Sequence, residues 1–563
     1  MKHKYIFVVG GVMSGVGKGV STASIGRILQ ARGYTVTAIK IDPYINVDAG
    51  TMNPTVHGET FVTNDADETD QDIGNYERFL DVDITSANYM TTGRVYQTVI
   101  QQERNLEYGG ICVEVVPHIP EEVIRRITTA TKQAKADITV IEVGGTIGEY
   151  QNILFLEAAR MMKFATPKDV AIVLVSYLPI PKMTGEMKTK PTQYAARSLN
   201  NTGLQADFII CRAEQPIDEP RRQKLAMLCG IHPDAAVSAP DVTTVYQVPL
   251  ILTEQELDLK LLKQLGLKPR TSDLKDWSEL VTRIESVTRS VKIAIVGKYF
   301  GTGNYTLSDS YISVIEAIKH ACWAHSVKPE LTWIDAEIYE QQPDKVSELA
   351  QYDGVIVPGG FGARGIEGII TAIRYVREQS IPYLGLCYGM QLGTIEFARN
   401  VAGLDGAHTT EVDTNAVHKV IHIMPDQEKK LLKLEYGGTM RLGAYPAKLK
   451  ARSIAARAYG EHESKSHFAK TSQDVDEPIR LVSERHRHRY EVNNAYRQQL
   501  ESAGLVMSGT SPDGRLVEII ELPISKHPFF VGTQFHPEFK SRPLNPHPLF
   551  VAFASAAKLR AEH

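Results

Sequence analysis

The sequence has few cysteines and no cysteine pair. Its 563 residues include five cysteines, which lie far apart, and no CxxC motif occurs. This spacing excludes a disulfide framework and a structural zinc site of the usual kind. Reduced, isolated thiols are typical of cytosolic proteins. The sequence therefore predicts a cytoplasmic location.

Long hydrophobic runs and an excess of one charge are also missing. The longest apolar run, which begins at Val170, is too short to cross a bilayer. The amino-terminal stretch MKHKYIFVVGG starts like a signal peptide, but its apolar part breaks at Gly10 and Gly11. The net charge is only −4, from 62 basic and 66 acidic residues, so no bulk field favours nucleic acid or lipid. We expect neither a membrane nor a nucleic-acid partner.

Short β-branched runs, by contrast, are plentiful and alternate with helix-like segments. Such near-continuous apolar runs indicate a parallel sheet that is covered on both faces. The pattern lapses in the polar stretch 268–290 and then resumes, and the chain is too long for one core. The sequence predicts an α/β protein of two parallel-sheet domains, 1–267 and 291–563, joined by a linker with one short helix. The charged stretch 451–476 is expected to be a surface insertion.

The first candidate site is a glycine-rich loop after the first strand, within YIFVVGGVMSGVGKGVSTASIGRIL. Backbone N–H groups at a helix start, together with Lys18, form a phosphate cradle. The loop is not a strict P-loop, because Gly19 stands where Ser or Thr would hold magnesium. A tight turn or a flavin contact is the alternative for so loose a motif. The flanking strand and helix favour a nucleotide site.

Carboxylates from elsewhere would have to supply the missing magnesium ligand. Glu142 interrupts a buried-looking strand just before two glycines, where a carboxylate needs a cation or a hydrogen-bond donor. The acidic run 65–72, taken alone, is expected to be a solvated loop. The candidate carboxylates are Asp42, Asp48, Asp70, Asp72 and Glu142.

A basic segment, GEMKTKPTQYAAR at 185–197, stands at the start of a predicted helix. Its two lysines and two threonines around a proline could grip a triphosphate. Taken alone, the segment is more simply a basic loop before a helix.

The second candidate site combines a cysteine, a histidine and a glutamate. GLCYGMQ, residues 385–391, sets Cys387 on a sharp turn into a helix, whose positive end favours a thiolate. TQFHPEF sets His536 and Glu538 at the end of a late strand, two apart and hence on one face. The histidine can then act as a base that the glutamate orients. The glycine loop 357–365 offers N–H groups for an oxyanion. Each element alone is ordinary, but the three together in this order are specific.

This combination resembles the class I glutamine amidotransferases, whose thiolate attacks the side-chain amide of glutamine and releases ammonia. Further stretches resemble the CTP synthase family over nearly the whole chain, namely KIDPYINVDAGTM, EMKTKPTQ, GGTMRLG, ERHRHRYEVNN and QFHPEF. The family joins an amidoligase half, with a P-loop fold like that of dethiobiotin synthetase, to a glutaminase half.

The resemblance implies an ATP-dependent ligase that aminates UTP to CTP. In the family, ATP phosphorylates O4 of UTP, and ammonia from the glutaminase tunnels to C4 and displaces phosphate. By the same resemblance, Mg²⁺ would act with the carboxylates of Asp72 and Glu142, and Lys40 would support phosphoryl transfer.

The resemblance also assigns the residues that contact nucleotides. The glycine-rich loop would hold phosphates, and the basic segment would hold the pyrimidine nucleotide. ATP would be bound by Gly15, Val16, Gly17, Lys18, Gly19, Val20, Asp72, Asp241 and Val242; UTP by Ser14, Lys188, Thr189, Lys190, Pro191, Thr192, Gln193 and Lys224; and CTP, as feedback inhibitor, by Ser14, Glu149, Tyr150 and Gln151.

In the glutaminase half, the resemblance makes Cys387, His536 and Glu538 the catalytic residues. The run RHRHRY at 485–490 could be a nucleic-acid patch, but its place before EVNN favours a loop at the glutamine site. The backbone N–H groups of Gly360 and Tyr388 would form the oxyanion hole. Glutamine would be bound by Gly360, Tyr388, Gly389, Met390, Gln391, Glu411 and Arg489.

Regulation and assembly follow from the same resemblance. It implies GTP as an allosteric activator, CTP as a feedback inhibitor, and a homotetramer built as a dimer of dimers that forms filaments in some cases. Two other functions compete with the synthetase. One is a nucleotide-gated polymerising scaffold with reduced glutaminase activity, which the intact Cys387, His536 and Glu538 disfavour. The other is an amidotransferase for a different acceptor, which the lysines of 188–193 disfavour.

Overall fold

A computed structural model describes residues 3–298, 301–302, 305–306, 308–424, 440–461, 469–471 and 480–563. The chain divides into two compact units. The first unit contains Met1–Ala49 and Asp72–Val281, and the second contains Gly50–Gln71 and Thr282–His563. Part of the motif GGTMRLG, residues 437–439, lies outside the described residues.

The strands of the described residues follow the apolar β-branched runs of the sequence, with shorter strands between them. They are β1 Lys4–Gly10, β2 Val36–Asp42, β3 Thr60–Val62, β4 Glu68–Asp70, β5 Tyr89–Thr91, β6 Ile138–Val143, β7 Val170–Tyr177, β8 Phe208–Ala213, β9 Ala236–Pro240, β10 Ser290–Gly297, β11 Gly301–Thr302, β12 Tyr305–Thr306, β13 Lys328–Asp335, β14 Gly354–Val357, β15 Tyr383–Leu386, β16 Ala407–Thr409, β17 His418–Ile423, β18 Arg441–Leu449, β19 Ala469–Thr471, β20 Arg480–His488, β21 Tyr490–Val492, β22 Val506–Thr510, β23 Val517–Glu521 and β24 Phe530–Thr533.

The α-helices of the described residues lie mostly between the strands, as expected for crossover connections. They are α1 Lys18–Ala31, α2 Pro54–His57, α3 Asp72–Leu80, α4 Thr92–Arg104, α5 Val115–Gln133, α6 Ile153–Ala165, α7 Lys190–Asn201, α8 Glu219–Cys229, α9 Val248–Glu254, α10 Leu257–Gln264, α11 Lys275–Ser286, α12 Ile312–Ala324, α13 Glu337–Gln341, α14 Ile366–Glu378, α15 Tyr388–Asn400, α16 Ile454–Glu461, α17 Arg497–Ser502 and α18 Pro548–Ala561.

The first unit is built on a parallel sheet in the order β5, β2, β6, β1, β7, β8, β9. Successive side chains of a strand point to opposite sides of the sheet. Both sides of this sheet are covered by apolar side chains. In β1, Phe7 and Val9 enter one apolar cluster, and Ile6 and Val8 enter the other. The carboxyl ends of β1, β2 and β6 therefore share one edge, where the candidate nucleotide residues lie.

The second unit has a longer sheet in the order β13, β10, β14, β15, β24, β23, β22, β18, β20, β19. The strands from β13 to β24 run parallel, and the strands from β24 onward pair antiparallel. The predicted α/β class with two parallel-sheet domains is confirmed, and the antiparallel extension adds β23, β22, β18, β20 and β19 to the parallel part. This extension carries the RHRHRY run into the sheet.

The polar stretch that we interpreted as a linker is anchored to the first unit. It contains α11, as the predicted short helix requires, and the first unit extends to Val281. Trp277 on this helix is fully buried and donates its indole N–H to the Tyr246 carbonyl at 2.7 Å. Its ring also lies 5.3 Å from that of Phe79. One apolar face therefore suffices to hold a helix whose overall composition is polar.

The expectation of a surface insertion at 451–476 is wrong for its first part. Helix α16 lies there, and Ala455 and Tyr459 on it are fully buried in the core of the second unit. The apolar positions of this short helix are hidden among charged residues in the sequence. Residues 462–468 and 472–476 lie outside the described residues.

No helix within the described ranges combines the length and the apolar character that a membrane span requires.

Candidate active sites

The glycine-rich loop joins β1 to α1 and uses left-handed backbone conformations. Gly15 and Gly17 have φ values of +69° and +90°, which favour glycine. Lys18 begins α1 and is buried, and its ammonium donates to the Gly145 carbonyl at 3.0 Å. Burial lowers the pKa of Lys18. The loop thus presents backbone N–H groups and one lysine at the start of a helix, as a phosphate site requires.

Lys40 is the centre of the acidic cluster in the first unit. It lies on β2 directly beside Glu142 on β6, because the parallel register pairs these two residues. Its ammonium donates to Glu142 Oε1 at 2.9 Å and to Asp72 Oδ2, and it lies 3.8 Å from Asp42 Oδ1. Of the candidate carboxylates, Asp42, Asp72 and Glu142 therefore meet at one cation.

The pKa values of the three carboxylates in this cluster are shifted in different directions. Burial acts to raise the pKa of Asp72, but Lys40 holds it below its ordinary value. Burial and the nearby Asp72 raise the pKa of Glu142, and burial raises that of Asp42. The charges of Lys40 and the nearby Lys18 face three carboxylates, so a further cation suits this cluster.

The departure from a strict P-loop has a structural reason. A Cβ atom at Gly19 would lie 2.2 Å from Asp72 Oδ1. The carboxylate of Asp72, at the start of α3, therefore occupies the space that a Ser or Thr side chain at this position would need. A carboxylate oxygen therefore lies where the hydroxyl of a strict P-loop would lie.

The remaining acidic candidates lie on other segments than Lys40, Asp72 and Glu142. Asp48 follows the end of β2, and Asp70 lies on β4, which belongs to the second unit. The expectation of a solvated loop at 65–72 is wrong, because Glu68 lies on a strand with only 2% of its surface exposed. Its partners, described below, are distant in sequence and could not be read from the acidic run.

Magnesium fits the donor chemistry of the first site. Among the described residues, no group of three or more His, Cys, Asp or Glu side chains is arranged to hold a metal ion. Mg²⁺, however, commonly takes only one or two carboxylates and completes its shell with water and phosphate oxygens. Asp72 and Glu142 can supply those two carboxylates. The buried Oδ2 of Asp42 has no hydrogen-bond partner among the described atoms and adds to the local negative charge.

An arginine that the sequence analysis missed lies beside the loop. Arg212, at the end of β8, donates to Asp241 Oδ1 at 2.9 Å and to the carbonyls of Ala239 and Pro240. Its Nε also lies 3.5 Å from the position of a Cβ at Gly17. This arginine therefore connects the predicted phosphate loop with the predicted adenine side at Asp241 and Val242. No local motif marks it.

The basic segment opens α7, as the sequence predicts. Thr189 is buried and accepts a hydrogen bond from Gln193, and Thr192 is buried against Ser176. Lys188 pairs with Glu186 at 2.6 Å. Lysines therefore lie on the accessible side and threonines on the packed side. Of the residues on α7, α8 and the turn before α7 that the resemblance assigns to UTP, those exposed or partly exposed are Lys188, Lys190, Pro191, Gln193 and Lys224.

The residues assigned to CTP feedback lie in two exposed turns. Ser14 is exposed in the glycine-rich loop, and Tyr150 is 94% exposed. Gln151 donates to Glu149 Oε2 at 2.8 Å. Burial acts to raise the pKa of Glu149, but hydrogen bonds from Gln151 and Thr146 lower it overall. The carboxylate of Glu149 is thus ionised and already holds one amide.

Cys387 lies at the turn between β15 and α15, as predicted, with φ of +50°. A non-glycine residue in this conformation is strained, and such strain clusters at functional sites. The adjacent glycines make the turn feasible, because a Cβ at Gly389 would lie 2.3 Å from the Val357 carbonyl oxygen. The side chain of Cys387 is 5% exposed and accepts a hydrogen bond from Gln534 at 3.6 Å.

His536 and Glu538 lie together, but not on a strand. The strand β24 ends at Thr533, and the two residues meet across a 3₁₀ turn, Pro537–Lys540, that the intervening proline begins. The expectation of two side chains on one strand face is therefore wrong, although the contact exists. His536 Nδ1 lies 2.7 Å from Glu538 Oε1.

The electrostatics of His536 match a histidine paired with a thiolate. Burial acts to lower the pKa of His536, but Glu538 and Cys387 raise it from 6.5 to about 10. The imidazole is therefore positively charged at neutral pH. A cationic imidazole beside Cys387 stabilises a thiolate nucleophile.

The glycine loop 357–365 packs directly against these residues. A Cβ at Gly359 would lie 2.9 Å from His536 Cε1, whereas one at Gly360 would meet only Tyr388 at 3.6 Å. Gly360 and Tyr388 are thus neighbours, as an oxyanion hole made from their N–H groups requires. Lys298, which the sequence analysis missed, donates to the Gly362 carbonyl at 2.6 Å and to the Tyr388 hydroxyl at 3.2 Å.

Three of the predicted glutamine residues, Gln391, Glu411 and Arg489, lie near Tyr490. Gln391 is buried and donates to the Tyr490 carbonyl at 3.0 Å. Burial and the charge of Glu411 raise the pKa of Tyr490, and the charge of Arg489 acts against them. Glu411 also accepts the Gly362 N–H at 2.8 Å. Gln391, Glu411 and Arg489 therefore lie in one region, while Gly389 and Met390 are buried in the first turn of α15.

The run RHRHRY is not the loop that we predicted. Most of it forms the end of β20, and Arg485 and His486 are fully buried. Burial lowers the pKa of His486 and His488 well below the ordinary value, so both imidazoles are neutral. Buried neutral histidines offer nothing to a nucleic acid. This charged run can form a buried strand because its arginines bind partners far away in the sequence, Asn64 and Glu68.

Comparisons with known proteins agree with this arrangement. The family described as CTP synthase N-terminus matches residues 4–267, and the family described as glutamine amidotransferase class-I matches residues 306–556. A CTP synthase of Rubrobacter xylanophilus is 49% identical over 560 residues, which cover 99% of this chain and 96% of the relative. A CTP synthase of Pyrococcus furiosus is 49% identical over 557 residues, covering 99% and 98%. Among solved structures, the Trypanosoma brucei CTPS glutaminase domain with bound acivicin is 36% identical, with a TM-score of 0.41, and covers 48% of this chain and 94% of that chain.

Proposed function

The chain belongs to the CTP synthase family, and from this premise we propose how its residues carry out the reaction. The reaction is the glutamine-dependent amination of UTP to CTP, with ATP as a further substrate. The first unit activates and aminates UTP, and the second releases ammonia from glutamine. One observation supports this division of labour. The chain contains both the Cys387, His536 and Glu538 site and the cluster of carboxylates around Lys40.

In the first unit, ATP transfers its terminal phosphoryl group to O4 of UTP, and ADP leaves. Ammonia then attacks C4, and phosphate leaves with the former O4. Phosphoryl transfer depends on positioning and on neutralising charge. The N–H groups of residues 15–20 and the ammonium of Lys18 hold phosphates, and Lys40 neutralises charge on the transferred group. Asp241 and Val242 bound the adenine side.

Mg²⁺ would be held by Asp72 and Glu142, with the remaining positions taken by phosphate oxygens and water. When bound, it neutralises phosphate charge and orients the triphosphate. The support for this assignment is the surplus of buried carboxylate around Lys40. Lys40 itself holds the pKa of Asp72 down and keeps the side chains of Asp72 and Glu142 in place before the nucleotide arrives.

The pyrimidine nucleotide is held by the basic segment. Lys188, Lys190 and Lys224 meet the triphosphate, and Ser14 with the buried end of 189–193 sets its orientation. CTP, as product and feedback inhibitor, contacts Ser14 and the turn 149–151. The exposure of Tyr150 and the ionised Glu149 support a ligand contact at that turn.

In the second unit, the Cys387 thiolate attacks the side-chain carbonyl carbon of glutamine. His536 gives its proton to the departing nitrogen, which leaves as ammonia. A thioester remains on Cys387, and a water molecule that His536 deprotonates then hydrolyses it to glutamate. Glu538 keeps His536 charged and oriented throughout.

The oxyanion of each tetrahedral intermediate is bound by the N–H groups of Gly360 and Tyr388. Lys298 supports this hole, because it ties the Gly362 carbonyl to the Tyr388 hydroxyl. The α-amino and α-carboxyl groups of glutamine are held by Gln391, Glu411 and Arg489, whose side chains carry complementary charges and amide groups. Gly389 and Met390 form the wall behind the substrate.

Regulation and assembly belong to the proposal in the same way. GTP acts as an activator, CTP as an inhibitor, and four copies of the chain form a dimer of dimers that can extend into filaments. The substrates UTP, ATP and glutamine are cytoplasmic metabolites, which supports a cytoplasmic location. The competing scaffold with reduced glutaminase activity is not favoured, because Cys387, His536 and Glu538 are all present and His536 is paired with Glu538.

The experiment that tests the proposed function compares two nitrogen sources. CTP formation from UTP, ATP and Mg²⁺ is followed by chromatography with glutamine or with ammonium chloride, for wild type and Cys387→Ala. We expect wild type to use both sources and Cys387→Ala to use only ammonia. Loss of both activities in Cys387→Ala, or no CTP from wild type with either source, would contradict the proposal.

A further inference from the structure

Residues 50–71, which we call the 50–71 segment, belong to the second unit although both flanks belong to the first. The segment contains α2, β3 and β4. Its Glu59 accepts the Ser313 hydroxyl and N–H at the start of α12. The Asn64 carbonyl accepts the Ala444 N–H on β18 at 2.9 Å. The glutaminase unit is thus completed by a segment that lies outside the matched range 306–556.

The segment contacts β20 at two arginines that lie on one face, two residues apart. The first is Arg485, which is fully buried. Its Nε donates to Asn64 Oδ1 at 2.7 Å, and its guanidinium lies 5.3 Å from the centre of the Phe61 ring. The backbone carbonyl of the same Arg485 accepts the His536 N–H at 2.8 Å. The side chain of Arg485 is therefore fixed by the segment and its backbone by the catalytic histidine.

The second arginine is Arg487. Its Nε donates to Glu68 Oε1 at 2.8 Å, and its terminal nitrogen lies 3.4 Å from the Gly50 carbonyl. The carbonyl oxygen of Arg487 lies 3.8 Å from the Cys387 sulfur and accepts its S–H in the thiol form. The ion pair thus fixes a backbone group that touches the nucleophile.

Glu68 itself is tightly confined. Its side chain is 1% exposed, and a Cβ at Gly50 would lie 2.1 Å from Glu68 Oε2. Gly50 is therefore small so that the carboxylate can lie against the chain. This ion pair is costly to break, because the charge of Glu68 has no water to replace its partner.

We propose that Glu68 is a positioning residue for the glutaminase reaction, acting through its ion pair with Arg487 to hold the backbone beside Cys387. This inference rests on the proposed function, because it assumes that Cys387 hydrolyses glutamine. The same segment positions His536 through Asn64 and Arg485. The glutaminase site is therefore built partly from a piece of chain that precedes Asp72 of the nucleotide site.

The test is the Glu68→Gln variant of the full chain, which keeps the shape of the side chain and removes its charge. We expect kcat for glutamine hydrolysis and for glutamine-dependent CTP formation to fall about 10- to 100-fold, as expected for a misplaced reacting group. The KM for glutamine should change less than kcat. CTP formation from ammonium chloride should stay within about twofold of wild type.

Two further readouts separate positioning from general destabilisation. Alkylation of Cys387 by iodoacetamide should slow several-fold at neutral pH in Glu68→Gln. The double variant Glu68→Gln with Arg487→Gln removes both charges, and its loss of activity should be less than the sum of the single losses in free energy. The matched control is Glu396→Gln, which breaks another buried ion pair of this unit, to Arg377 at 2.8 Å. The control should keep both activities.

Wild-type glutamine kcat in Glu68→Gln would overturn the inference. So would a parallel loss of the glutamine and ammonia reactions, or an equal loss in Glu396→Gln, because each indicates a structural role only. Absence of CTP from wild type would instead refute the proposed function. The alkylation rates then still decide whether Glu68 positions Cys387.

Discussion

At the scale of single residues, the glutaminase site depends on side chains that are strained or confined. Cys387 adopts φ of +50°, and His536 is packed between Glu538 and Gly359. Strain of this kind persists only where the surroundings hold it. Single substitutions at the neighbours should therefore affect the chemistry more than the fold.

The first residue-scale prediction concerns Glu538→Gln. The pKa of His536 is raised from 6.5 to about 10. The charged imidazole therefore stabilises the folded site fully below pH 6.5, and this contribution is lost as the pH rises through about 10. Without Glu538, the opposing effect of burial lowers this upper limit. We expect the glutamine kcat to fall about 100-fold or more and the alkaline limb of its pH profile to move to lower pH.

The measurement is the pH profile of glutamine hydrolysis and of Cys387 alkylation. Ammonia-dependent CTP formation by the same variant serves as the control for folding. An alkaline limb that stays at the wild-type pH would show that Glu538 does not set the charge of His536.

The second residue-scale prediction concerns Gly359→Ala. The added methyl group would lie 2.9 Å from His536 Cε1, so the imidazole must move away from Cys387. We expect glutamine-dependent CTP formation to fall about 10- to 100-fold, with little change in the ammonia reaction.

The matched control is Gly393→Ala in α15, where the nearest atom would be 3.7 Å away. This control gains about 1 kcal/mol of helix propensity and should retain full activity. Equal kinetics for the two alanine variants would contradict the packing of His536 on Gly359.

At the scale of elements, the first site is assembled by strand register and by one helix start. The pairing of β2 with β6 sets Lys40 beside Glu142, and α3 brings Asp72 to the same ammonium. The helix α11 also depends on contacts made elsewhere in the chain, because its buried face, which includes Trp277, packs against Tyr246 and Phe79.

The element-scale prediction concerns Gly19→Ser, which restores the residue type of a strict P-loop. We expect this change to abolish activity rather than improve it, because the new side chain would collide with Asp72. CTP formation should fall more than about 100-fold with glutamine and with ammonia alike, since phosphoryl transfer precedes both.

Steady-state CTP formation with each nitrogen source measures this effect. Alkylation of Cys387 is the internal control and should be unchanged, because Cys387 lies in the other unit. An active Gly19→Ser enzyme would mean that Asp72 does not have to occupy that space.

At the scale of the whole molecule, two chemistries share one chain, and the product of one is the substrate of the other. Free ammonia would be diluted and mostly protonated in solution, whereas transfer within one molecule keeps its effective concentration high. A synthetase of this kind therefore gains from having both sites on one polypeptide.

The whole-molecule prediction uses two variants that each lack one site, Gly19→Ser and Cys387→Ala. Freshly mixed with glutamine, they should form CTP at less than about a tenth of the wild-type rate, because ammonia from one molecule must reach another through solvent. Initial rates by chromatography measure this, and ammonium chloride should restore Cys387→Ala. A mixture that works at the wild-type rate would show that ammonia is exchanged freely.

Much of the fold and of the chemistry could be read from the sequence, because both leave local signals. Apolar β-branched runs predicted β1, β2, β6, β7 and β8, since a parallel strand must be apolar on both faces. The turn at Cys387 and the pair His536 and Glu538 were recognisable because the chemistry demands those residue types at short spacing.

What only the tertiary structure decided are the contacts between distant parts of the chain. The meeting of Lys40 with Asp72 and Glu142, the place of Asp72 beside Gly19, and the ion pair of Glu68 with Arg487 join residues 32 to 419 positions apart. No periodicity records such pairs. For the same reason the acidic run 65–72 was expected to be a solvated loop and the run 485–490 a loop at the glutamine site, although Glu68 in the first pairs with Arg487 in the second.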